Sequence, residues 1–351
     1  MPRKKQNRID IPIPLKMVQE FKQKFPDVWE YCDCSLNLPF DKINLDWNKN
    51  RCILPTYMCQ PIMQVMYEKY NVTPDLTDIA ILSGLYSWRK YKEIYSFDSD
   101  FAELLMQSAD DEFTVQISTL LNTPYSSFYV QIDGENSLGV KGFFCSYDYI
   151  LWDKEVSNGT GRQLTLNFLA VYEDKYLGCP LVIREGLNIK EAMKWMNMLM
   201  SELTGEIIYD PELIQFTHDF ITKALQLVLY ICAANADISE NPQQKQITRK
   251  PTVGNQPKDT LREVRKWDVG YRIGSIIRKS TDEVQIQEQE VDKKHKSSSK
   301  RPHVRKGHFH HYWIGSKTDN SRTLVLKWVA PMFINIALED ELPAIITKIE
   351  S

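Results

Sequence analysis

The period of the apolar residues changes from helical to alternating near residue 126, and that change restricts the chain to folds in which helices cover a sheet. Over residues 16–107 apolar side chains recur at three and four, as in Met63, Met66 and Tyr70 or Ile79, Leu82, Leu85 and Tyr86, the spacing of one helix face. Prolines at 26, 39, 55, 61 and 74 interrupt the run. Ser127–Ile132 then alternates, residues 142–151 are aromatic and β-prone, and residues 163–172 alternate again, with turn residues between. Three or more antiparallel strands are predicted, with residues 181–183 as a further one.

Two long helices follow. Asn188 opens one that runs to about residue 203, with Ile189, Ala192, Met193, Met196 and Met200 on one stripe; methionines so spaced fill cores and receive no cofactor role. Asp210, Pro211 and Glu212 start the second, with Asp210 as cap, and apolar positions continue to Ala234. His218, near the polar start of that helix, reads as a structural or surface histidine. Order returns over residues 267–278, where Gly270 and Gly274 read as turns, since neither a dinucleotide fingerprint nor a phosphate loop is completed. Residues 325–329 and 332–335 read as strands.

The predicted fold class is α+β: a helical N-terminal region (1–125), a central unit of antiparallel sheet with two long helices (126–240), a polar linker (241–262) and a C-terminal β-hairpin module (263–351). The last carries a mobile segment at 281–299, acidic first and then basic.

With 351 residues, 43% of them hydrophobic, the chain has the material for a large core. A formal net charge of -3 excludes a uniformly basic nucleic-acid coat, so contact with RNA has to come from a local patch. No stretch reaches the ~18 to 20 apolar residues of a membrane span. The basic first eight residues lead into Ile-Asp-Ile-Pro-Ile-Pro instead of the apolar core of a secretion signal. A cytoplasmic protein with no membrane partner is expected. Seven cysteines, an odd number in mostly apolar surroundings, predict reduced thiols, and Cys32, Cys34, Cys52 and Cys59 lack zinc spacing.

The local patch is found at residues 300–313, where four of the six histidines, His303, His308, His310 and His311, stand among Lys300, Arg301, Arg305, Lys306, Tyr312 and Trp313. If residues 308–314 form a strand, His308, His310 and Tyr312 share one face and Phe309, His311 and Trp313 the other. A polar loop at 316–321 then returns the chain as a hairpin.

Several readings are open for this surface. As an RNA or phosphate site, Arg301, Arg305 and Lys306 hold phosphates while Tyr312 or Trp313 stacks a base. As a metal-independent ribonuclease of a mobile element, His303, His308 or His310 supply acid and base, because an ordinary histidine pKa of ~6.5 lets neutral and charged members coexist near pH 7. As a metal site, His303, His308 and His310 would share an ion, but the surrounding cations oppose one and no carboxylate or thiol stands nearby; no metal or other cofactor is expected. The cluster also fits a packed aromatic core with a solvated charged rim, or a toxin- or antitoxin-like module that binds one protein.

The chain resembles the type V-A anti-CRISPR proteins that cause loss of the effector nuclease's messenger RNA. The resemblance is carried by residues 300–313 with 325–335, by Val269, Gly270, Tyr271, Arg272, Ile273, Gly274 and Arg278, and by residues 230–238. Fainter similarity covers 82–95, 124–133 and 141–144. Phe309 and Lys306 stand where the family's pattern favours a larger aromatic and an arginine. What the resemblance implies is a reader of the effector's nascent polypeptide that couples recognition to loss of the transcript. Its partners would then be that nascent peptide and the mRNA or ribosome complex, with cleavage either its own or a recruited host nuclease's. Arg272 is expected to support the site through the turn before it.

Overall fold

The computed structural model describes residues 11–36, 52–148, 163–204, 211–240, 264–279, 303–316 and 322–334. Helices α1 (Ile13–Lys24), α2 (Val28–Leu36), α3 (Thr56–Tyr70) and α4 (Leu76–Tyr91) precede strand β1 (Glu93–Phe97). Helices α5 (Ser99–Gln107) and α6 (Ile117–Leu120) lead to β2 (Ser127–Ile132), β3 (Gly142–Asp148), β4 (Gln163–Val171) and β5 (Tyr176–Arg184). Next come α7 (Ile189–Thr204), α8 (Pro211–Cys232), β6 (Ile238–Glu240), β7 (Arg265–Val269) and a helix α9 at 271–279.

The first seven strands form one sheet in the order β5-β4-β3-β2-β1-β7-β6. From β2 to β5 every pairing is antiparallel, as the alternating segments predict. β1 is parallel to both of its neighbours, β2 and β7, which makes the sheet mixed. Strands from the expected N-terminal, central and C-terminal segments therefore share one ladder. The linker at 241–262, the segment at 281–299 and the cap Asp210 lie outside the described residues.

Alternation along the strands fills two cores. Ile94, Tyr129, Phe144 and Leu169 face α1 to α4, while Tyr95, Phe97, Phe128, Phe143 and Phe168 face α5 to α8. Each such side chain withdrawn from water contributes roughly 1.5–3 kcal/mol before ordering costs. β1 escapes sequence reading because Glu93-Ile94-Tyr95-Ser96-Phe97 is short, does not alternate and directly continues the helical run before it. Helix α3 runs through Pro61 instead of breaking there. Met58, Ile62, Met63 and Met66 are buried along it, and that packing outweighs one missing backbone hydrogen bond.

At the carboxyl end of the parallel strands, Asp98 caps α5 by accepting from the Phe101 amide at 3.2 Å, and Arg278 of α9 donates to both carboxylate oxygens at 3.1 and 3.0 Å. Gly270 turns the chain with φ +72°, as expected. Gly274 does something else. It lies inside α9, where a Cβ would stand 1.9 Å from Asp98 Oδ1, so its glycine permits the approach of a buried carboxylate.

Gly274→Ala is predicted to destabilise the protein by about 1–3 kcal/mol in urea melts, against the ~1 kcal/mol gain usual for Gly to Ala in a helix. A gain would show that Asp98 can move aside freely.

Candidate nucleic-acid interface

Four strands carry the histidine-rich segment: β8 (His303–Arg305), β9 (His308–Ile314), β10 (Thr323–Val329) and β11 (Met332–Ile334). β9 pairs with β10, and β8 with β11. The register does not shift between the pairs, since three residues on from His308↔Val329 lies Arg305↔Met332. The four strands thus form one long hairpin interrupted at Lys306-Gly307 opposite Ala330-Pro331. Hydrogen bonding locates the cause. The backbones of Leu326 and Trp328 point away from β9: Leu326 O accepts from the Ala234 amide at 2.9 Å, and Asn235 bonds Trp328 N at 3.0 Å and Trp328 O at 2.9 Å. The cross-strand bonds therefore fall at His308, His310, Tyr312 and their partners, and the next member of that series pairs Lys306 with Pro331, which has no N–H to give.

Trp328 fastens the hairpin to the body. Its indole meets Phe101 at 5.1 Å and Tyr230 at 5.8 Å, both edge to face at 85°. Gly307 lies over it, and a Cβ there would stand 2.9 Å from the indole.

The two faces of β9 differ as its alternation predicts. His308, His310 and Tyr312 are exposed, and the His310 and Tyr312 rings lie 4.6 Å apart. Lys327, cross-strand from His310, places its ammonium 5.7 Å from the Tyr312 ring, and Lys306 is exposed at the strand's start. Neither β9 nor β10 contains Asp or Glu. On the other face Phe309 is buried and His311 half-buried, stacked on Phe113 at 5.5 Å and 7°, with Nε2 3.3 Å from Thr119 Oγ1. Trp313 on that face is 61% exposed. Burial, and then the neighbouring His310, hold the His311 pKa below 6.5.

The structure brings His308, His310, Tyr312 and Lys306 together on or beside one surface. His303 and Arg305 fall at the register positions of the opposite parity, shared with Phe309 and His311. Arg301 lies outside the described residues. Arg272 is engaged elsewhere, donating from Nε to Asp237 Oδ1 at 2.6 Å beside the start of α9. His218 stands 3.6 Å from Asp111 on the body. Sequence reading missed Lys327 and Asn235, whose roles depend on strand register. Among the described residues no group of three or more His, Cys, Asp or Glu could hold a metal ion, and no helix is long and apolar enough to cross a membrane.

A mixed sheet covered on both faces, with a cationic aromatic hairpin docked on one of them, defines an α+β protein. Residues 95–336 match the AcrVA2-like family, the anti-CRISPR type V subtype A2 family, and the chain belongs to it. Protein FinQ of Escherichia coli is 26% identical over 300 residues, covering 77% of this chain and 80% of FinQ. The crystal structure of AcrVA2 superposes with a TM-score of 0.55 at 18% identity, over 93% of this chain and all of that one, and so shares the fold.

Two measurements test the anchorage. Asn235→Ala removes both bonds to Trp328 and is expected to cost about 1–3 kcal/mol, with faster amide exchange at Trp328. The His311 imidazole is disfavoured as a cation in the folded state, so the unfolded chain takes up its proton first on acidification. Its stability contribution is complete above 6.5 and is lost as pH falls through the depressed folded value. His311→Gln is expected to flatten the stability slope below that pH in urea titrations followed by tryptophan fluorescence.

Proposed function

We propose that this chain is an anti-CRISPR-like inhibitor that recognises the nascent polypeptide of a type V-A effector nuclease and triggers loss of the encoding messenger RNA. In this reading the exposed face of the hairpin contacts the RNA. One observation carries the RNA contact: His308, His310 and Tyr312 share an open face with Lys306 and Lys327 beside it, on two strands that contain no carboxylate. Ammonium groups attract phosphates, the Tyr312 ring offers a stacking platform, and imidazole N–H groups donate to phosphate or base edges. Arg301, Arg305 and His303 extend the same basic segment along the chain, and Trp313 adds a ring beyond Tyr312. Membership of the anti-CRISPR family supports the effector as target. The trigger, recognition during translation, rests on the resemblance stated above.

The test compares effector transcript in cells making this protein or its Tyr312→Ala, Lys327→Ala double variant, with folding checked by circular dichroism. The native chain is expected to deplete the transcript only while it is translated, and the variant to spare it. Purified variant is expected to bind RNA about tenfold or more weakly, with a shallower salt dependence. Transcript left intact by both proteins would refute the reading. Incubating pure protein with RNA in EDTA then separates the two routes to decay: cleavage with a bell-shaped pH profile assigns His308 and His310 acid and base roles, and intact RNA assigns decay to a recruited nuclease.

A further inference from the structure

The hydrogen-bond pattern of the hairpin closes one of its long edges and leaves the other open. Ala234 and Asn235 occupy the outer edge of β10. By the same register, the amides and carbonyls of Phe309, His311 and Trp313 point outward from β9, and among the described residues nothing hydrogen-bonds to them. The edge strands of the main sheet are blunted: β5 carries Pro180, and β6 is three residues long. β9 has none of these protections. Its seven residues, His-Phe-His-His-Tyr-Trp-Ile, include no proline, lysine or carboxylate, and Trp313 is 61% exposed at the open edge.

We infer that the outer edge of β9 is a docking edge that takes up an extended peptide as an added strand, with acidic side chains on one face of that strand and apolar ones on the other. The pattern follows from the neighbours each face would meet. On the side of His308, His310 and Tyr312, Lys306 is exposed and the Lys327 ammonium reaches over the Tyr312 ring, 5.7 Å from its centre, toward the open edge. Acidic residues suit that side, because cross-strand neighbours of opposite charge attract. On the other side an added strand would run beside Phe309, His311 and Trp313, with Phe113 stacked on His311, so apolar side chains there would withdraw the Trp313 ring from water. Main-chain bonds to three outward residues supply affinity, and the alternating faces supply selectivity. The inference rests on the proposed function for the source of the peptide, the emerging effector chain; the edge itself follows from the ladder.

The test titrates full-length protein with a seven-residue synthetic peptide alternating glutamate with valine or phenylalanine, and with copies N-methylated at each backbone position in turn. Binding is expected to weaken about tenfold on methylation at alternate positions only, because every second amide of an added strand faces β9. Replacing the glutamates by lysine is expected to weaken it comparably. Trp313→Pro, which removes an outward amide and leaves the bonds to β10 intact, is expected to abolish binding in a chain whose circular dichroism is unchanged. Methylation effects without alternation, or no binding of the unmodified peptide, would overturn the assignment. So would slow exchange of the His311 and Trp313 amides in the free monomer, or a dimer broken by Trp313→Pro, since either would show the edge already occupied. If the peptide binds with alternation while the transcript survives, the proposed function fails and the docking edge stands. If Trp313→Pro loses the peptide yet still depletes the transcript, the docking edge is not where the effector chain is read.

Discussion

Trp328 is buried against Phe101 and Tyr230, and through that contact the hairpin is registered on the body of the protein. Phe101 belongs to the helix that follows β1, Tyr230 to α8, and Trp328 to β10, so the three rings join parts of the chain that lie 98 to 227 residues apart. Asn235 secures the same strand by bonding both backbone groups of Trp328, while the Tyr230 hydroxyl accepts from the Asp237 amide at 2.8 Å. With one face of the hairpin committed to the core, the other is free to carry charge. The faces of β9 owe their different fates to this anchor, since a one-residue slip would bury His310 and expose Phe309.

Segments whose environment is uniform along one face were readable from sequence. β2, β4, α7 and α8 follow their periods closely, and the placement of His308, His310 and Tyr312 opposite Phe309 and His311 is a direct result of alternation. β1 was not readable because Glu93-Ile94-Tyr95-Ser96-Phe97 does not alternate, and the ladder role of β7 depends on its pairing with that distant strand. Gly274 shows the same limit at one residue. A glycine flanked by ordered chain reads as a turn, whereas its cause is Asp98, 176 positions earlier.

Within the site, local spacing carried the face but not its neighbours. Lys327 joins it only through the register that sets it opposite His310, and His311 leaves it because Phe113 and Thr119 bind its other side. Arg272 carries a charge that looks free in sequence, yet Asp237 is already its counter-ion. His303 and Arg305 are close to His308 in sequence, and the unbroken register sets them at the opposite parity. A run of cations in sequence is therefore spread over both register parities of the strand. Pro331, opposite Lys306, divides the hairpin where its ladder lacks a donor.

The limits of the family match follow the same physical division. It begins at Tyr95, in the middle of β1, and ends at 336, just past β11, so it spans the sheet from its central strand, the helices on the hairpin side, and the hairpin itself. Helices α1 to α4 fall outside it. They bury Ile94, Tyr129, Phe144 and Leu169 and add polar contacts of their own, Lys24 to Asp78 at 2.7 Å and Thr56 to Asp148 at 2.6 Å. The hairpin side rests on a glycine over an indole, an asparagine bonding both backbone groups of one residue, and a strand whose two faces differ. Constraints of that kind depend on residue identity and not merely hydrophobicity, and through Gly307, Asn235 and Trp328 they fix the hairpin on the body.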